Sequence, residues 1–106
     1  MNLVGEKIDK SNLGQRGFNV EELYRNISRL NTVFCWGAHK WVGHKDKFLK
    51  FNVQGYLFKG HVYITLAYND TFTVYFTTSH GTIKEVKEEV YIDMLIDTID
   101  RVVETK

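Results

Sequence analysis

From Leu49 to Phe76 apolar and polar residues alternate with a period of two. Leu49, Phe51 and Val53 fall on one side of a strand, as do Val62, Ile64, Leu66 and Tyr68, and then Phe72, Val74 and Phe76. Such alternation suits strands with one buried face; a helix would scatter these residues around its circumference. On both sides of this region the period becomes helical. Asn19 is placed to cap a helix, with Glu22 three residues on as in a capping box. Val20, Leu23, Tyr24, Ile27 and Leu30 then share a face, Glu21 and Arg25 are spaced for an i,i+4 ion pair, and the helix should end near Asn31. Near the C-terminus Ile92, Leu95, Ile96, Ile99, Val102 and Val103 form one apolar stripe, beside an acidic stripe of Asp93, Asp97, Asp100 and Glu104.

The joints between strands carry their own signals. Directly opposed residues of a hairpin share a face. A three-residue loop ending at Thr71 sets Tyr68 against Phe72 and Leu66 against Val74, so the apolar sets coincide; a two-residue loop would mix them. "SHGT" (Ser79–Thr82) reads as the next turn, and "IKEVKE" after it as a charged edge strand that discourages unwanted pairing. The β-rich run "TVFCWGAHKWV" is expected to open the sheet at Thr32. The fold class that follows is α+β: an N-terminal helix, an antiparallel meander sheet of four to five strands, and a C-terminal helix packed on the sheet. Residues 1–18, which lack a sustained period, read as a flexible arm, and residues 19–106 as one domain.

Several function classes lack their signatures. Cys35 is the single cysteine, which excludes an internal disulfide, and its place in the apolar run "VFCW" suggests a buried, inert thiol. The N-terminus has no apolar signal core and no window is long enough to span a bilayer, so a cytoplasmic location without membrane contact is expected. His39, His44, His61 and His80 lack the spacing of zinc motifs, and no Cys-x-x-Cys is present. No Gly-x-Ser-x-Gly or phosphate-binding loop occurs. A histidine-and-lysine hydrolytic site is a distant third reading. The acidic stripe reads as a solvated face rather than a metal site. The expectation is therefore a protein that is not an enzyme and carries neither cofactor nor metal.

One stretch stands apart. Between Thr32 and His61 lie five lysines (Lys40, Lys45, Lys47, Lys50, Lys59) and one acid, with Trp36, Trp41, Phe48, Tyr56 and Phe58 interleaved. Residues 82–106 carry the opposite excess, seven acids against four bases. Lysines hold phosphates and exposed aromatics stack on unpaired bases, so a nucleic-acid-binding sheet face is one reading. Exposed tryptophan also anchors protein interfaces, and this reading is placed first. The expected binding residues are Trp36, His39, Lys40, Trp41, His44, Lys45 and Lys47. The acidic helix of one copy facing the basic strands of another would give a homodimer.

The helix ending "ISRLNTVF", then "GAHKW", "LKFNV", "HVYITLAYNDTFTVYF" and "EEVYIDMLIDTI" occur in this order over roughly residues 23–100. In this the chain resembles a group of small, largely uncharacterised proteins of bacteriophages and mobile genetic elements. The resemblance implies a small accessory protein and a host-directed binder or inhibitor. It assigns no catalytic residue.

Overall fold

In a computed structural model, residues 4–9, 17–30, 33, 35–44, 47–55, 57–67 and 69–104 are described. Helix α1 (Val20–Ile27) starts where Asn19 accepts the Glu22 N–H at its Oδ1, 3.0 Å away. That side chain satisfies one of the amides the first turn leaves open. Arg25 pairs with Glu21 on the wet side. Val20, Leu23 and Ile27 are buried, while Tyr24 and Leu30 stay exposed. The helix closes on Ser28, earlier than Asn31, and this is why Leu30 leaves the apolar face.

Five strands follow: β1 (His39–His44), β2 (Phe48–Gln54), β3 (Lys59–Leu66), β4 (Phe72–Thr77) and β5 (Ile83–Val90). They form one antiparallel sheet in the order β1-β2-β3-β4-β5. The meander expected from the alternation is thus present. Its first strand begins at His39 rather than at Thr32, because Trp36 N–H turns back to the Val33 carbonyl. Cys35 lies in that turn and is exposed, so the expectation of a buried thiol is corrected. The pattern of apolar residues there marked packing, not strand.

The two last hairpins are built alike. In one, Ala67 N–H reaches the Thr71 carbonyl, Asp70 N–H reaches Ala67, and Asp70 takes a left-handed φ of 63°. In the other, Thr78, Thr82 and Gly81 repeat the pattern, with Gly81 at φ 89°. A tight turn closed by a left-handed third residue is the usual three-residue hairpin. The β3–β4 loop therefore has the expected length but sits one residue earlier: Leu66 opposes Phe72 and Ile64 opposes Val74. Parity fixed which face each residue takes, and it is silent on a shift of pairing by two. Tyr68, Tyr56 and Lys45 lie outside the described residues.

Beyond β5 a 3-10 turn (Ile92–Met94) leads into helix α2 (Leu95–Val103). Leu95, Ile99 and Val103 are fully buried and share a core with α1 and with Leu49, Phe51, Val62, Ile64, Val74 and Phe76 of the sheet. Both helices therefore cover one sheet face. Val103 comes so close to Gly55 that any side chain there would overlap it. Val4–Asp9, read from the sequence as part of a loose arm, lies beside the start of β5. Gly5 and Ile8 donate backbone bonds to Ile83 and Gly81, and Ile83 donates to Glu6. Ile8 also packs on Phe48 and Tyr63, on the sheet face away from the helices.

Candidate binding surfaces

The basic-aromatic stretch is not one continuous exposed face. Trp36 is completely buried. Its Nε1–H donates to Asp100 Oδ1 at 2.9 Å, and its ring stacks on Phe51 at 6.2 Å. This joins the entry to β1 to helix α2, so Trp36 has no surface to offer a partner, and its proposed role as an exposed anchor is corrected. Trp41 is half-buried between Phe51, at 4.4 Å, and Tyr24, at 5.1 Å. Lys40 is exposed and sits in an irregularity of β1 between His39 and Val42, with a left-handed φ of 55°. The extra residue of a bulge turns a side chain away from its regular direction. Lys47 is exposed ahead of β2. His44 ends β1, and its side chain, like Lys45, is outside the described residues. His39 joins a depression together with other polar residues.

That depression lies on the second face of the sheet. His39 opposes Asn52, Asn52 opposes His61, and His61 opposes Thr77, which makes a polar row across four strands. His39 Nδ1 lies 2.7 Å from the Gly37 carbonyl. A carbonyl only accepts, so Nδ1 carries the proton and Nε2 is the ring position left for other partners. Asn52 Oδ1 is buried without a hydrogen-bond partner among the described residues. A buried acceptor in that condition costs about 1–3 kcal/mol. The lysine side of the neighbouring wall is fixed by Lys7, whose Nζ donates to the His80 carbonyl at 2.9 Å. Further along this face Phe48 and Tyr63 are buried, packed with Ile8 and Tyr75. Burial pushes the phenols of Tyr63 and Tyr75 above the ordinary tyrosine range, and Glu88 adds to the rise at Tyr75.

A second surface was not foreseen. Tyr91 is 58% exposed, Ile92 63% and Met94 52%, at the corner where β5 leaves the sheet for α2. The sequence placed Ile92 in the buried stripe, but it belongs to the 3-10 turn, where helical spacing does not yet apply. The corner is formed by a bulge in β5 between its pairings with Val74 and Phe72. Glu89 takes φ 55° there, which turns Val90 into the core and leaves Tyr91 outside. Glu88, Glu89, Asp93 and Asp97, all exposed, lie near the apolar trio in the chain. A strained non-glycine residue beside exposed apolar side chains was the only signal, and neither is visible in residue spacing.

Among the described residues no three His, Cys, Asp or Glu side chains gather as a metal site, and no helix is long and apolar enough to cross a membrane. No family model, curated protein or solved structure matches the chain.

Proposed function

We propose that this chain is a non-enzymatic binding protein that engages another protein through the β5–α2 corner. The observation behind this reading is the exposure of Tyr91, Ile92 and Met94 side by side in the chain. Burying such a side chain fully is worth about 1.5–3 kcal/mol, and at each of the three over half its surface is still open to a partner. Tyrosine and methionine are also enriched where proteins meet. The exposed acids Glu88, Glu89, Asp93 and Asp97, close by in the chain, favour as complement an apolar recess with a basic rim. The resemblance to phage and mobile-element accessory proteins would make the owner of that recess a host protein. Binding of single strands by base stacking has less support, because Phe48 and Tyr63 are buried.

The test places a photo-crosslinking residue at Ile92 and, as control, at Leu57, which is exposed elsewhere. A discrete adduct should form from position 92 and not from position 57. Excess unlabelled wild-type protein should suppress it, while excess Ile92→Glu should not. An adduct with a second copy of the chain would identify the partner as itself. Identical adducts from both positions, or equal competition by Ile92→Glu, would overturn the proposal.

A further inference from the structure

The sheet has two edges, and the chain treats them differently. At β5 the segment Val4–Asp9 lies alongside: Gly5 and Ile8 donate to the Ile83 and Gly81 carbonyls, and Ile83 donates to Glu6. The pairing of β5 is also irregular near both ends. At β1 no backbone bond leads outward to any described residue. Alternate residues of such a strand turn their N–H and C=O away from the sheet, a template for one more strand. From Val42 to His44 the pairing with Lys50, Leu49 and Phe48 is regular, so the open row keeps strand geometry there.

The side chains along this row select what can join it. Lys40 stands at one end, in the irregularity of β1, and Lys47 just past the other, in the turn to β2. Both are exposed, and neither has a carboxylate partner among the described residues. A second β1 would bring the same lysines against them, and like charges across a strand pair repel. A strand with acids at its ends is attracted instead. Between the lysines, Trp41 stacks on Phe51 on the helix-covered face and touches the exposed ring of Tyr24. Val42, on the other face, is 47% exposed. Apolar surface thus flanks the row on both sides.

We propose that β1 binds an acidic, extended segment of another protein by strand addition. The main chain of that segment bonds the outward amides, its carboxylates meet Lys40 and Lys47, and its alternate apolar side chains lie beside Trp41 and Tyr24. The β5–α2 corner is at the opposite edge of the sheet, and Ile92→Glu should leave this contact unchanged.

A capped heptapeptide, Glu-Val-Thr-Val-Thr-Val-Glu, titrated into the isotope-labelled full chain tests this by amide NMR shifts and hydrogen exchange. Shifts should centre on Trp41–His44, and the outward amides there should exchange at least about tenfold more slowly with peptide bound. The same peptide with lysine at both ends should bind about tenfold more weakly, and methylating its alternate amides should abolish binding at unchanged charge. Lys40→Glu combined with Lys47→Glu should reverse the order of the acidic and basic peptides. Should that variant fail to fold, raising the salt to about 0.5 M should shrink the difference between the peptides on the wild-type protein. Four results would overturn the proposal: equal affinity for the acidic, basic and methylated peptides, shifts centred away from β1, tighter binding of an oligothymidylate than of the acidic peptide, or protection of β1 by a second copy before peptide is added.

Discussion

Replacing Trp36 should damage the fold rather than a binding face. The residue is wholly buried, and an aromatic of this size removes roughly 150–250 Å² from water on folding. At about 25 cal/mol per Å² that corresponds to about 4–6 kcal/mol, in line with the ~3–5 kcal/mol of aromatic-to-alanine changes in cores. The bond from Nε1 to Asp100 lies in a partly buried setting, so its share sits at the lower end of the ~1.5–3 kcal/mol for bonds to charged acceptors. A domain of this length has about 5–15 kcal/mol in total. Trp36→Ala should therefore leave it marginal, with a urea midpoint lowered by about 2–3 M. Trp36→Phe keeps a ring against Phe51 but loses the indole N–H, and should cost about 1–3 kcal/mol. Urea titrations followed by far-UV circular dichroism measure both, and the Trp36→Phe, Asp100→Ala cycle isolates the bond, with a coupling near ~1.5 kcal/mol expected. A cooperative Trp36→Ala protein that loses less than 1 kcal/mol would refute this reasoning.

Three further outcomes follow from individual residues. Tyr63 and Tyr75 hold raised pKa values when folded, so the unfolded chain ionises first. Stability is complete below the unfolded value of 10.0 and falls as pH rises through the folded values, and Tyr63→Phe should flatten that fall in urea midpoints taken between pH 9 and 11. Glu89→Gly should match wild type or exceed it by up to about 1 kcal/mol, because glycine relieves the left-handed strain, whereas Glu89→Val should cost about 1–2 kcal/mol; thermal unfolding distinguishes them. Cys35 should react stoichiometrically with a disulfide reagent such as DTNB in native buffer, and protection until denaturant is added would contradict its exposed position.

Local rules were legible in the sequence wherever one face of an element meets the core. Asn19 caps α1, Glu21 meets Arg25, and Leu49, Phe51, Val53, Val62, Ile64, Val74 and Phe76 all turn inward as alternation requires. Leu95, Ile99 and Val103 hold the inner side of α2. Trp36 escaped because its partner Asp100 lies 64 positions away, which no local pattern records. Ile92 escaped for the opposite reason: the apolar spacing is regular, but the first turn is a 3-10 turn and α2 begins at Leu95. The polar depression joins His39, Asn52 and His61 from three strands, so it could be found only once their register was known. Charge asymmetry pointed to the basic stretch, whose Trp36 the core had already taken, with Trp41 and Phe58 packed against it.

Hydroxyl-radical footprinting of the native protein, read residue by residue, reports most directly which large side chains form the core and which reach solvent. Tyr91 and Met94 should be modified rapidly, with Trp36, Phe51 and Tyr63 protected until the chain unfolds. Modification of native Trp36 at a rate close to that of Tyr91 would contradict both the core and the corner described for this fold.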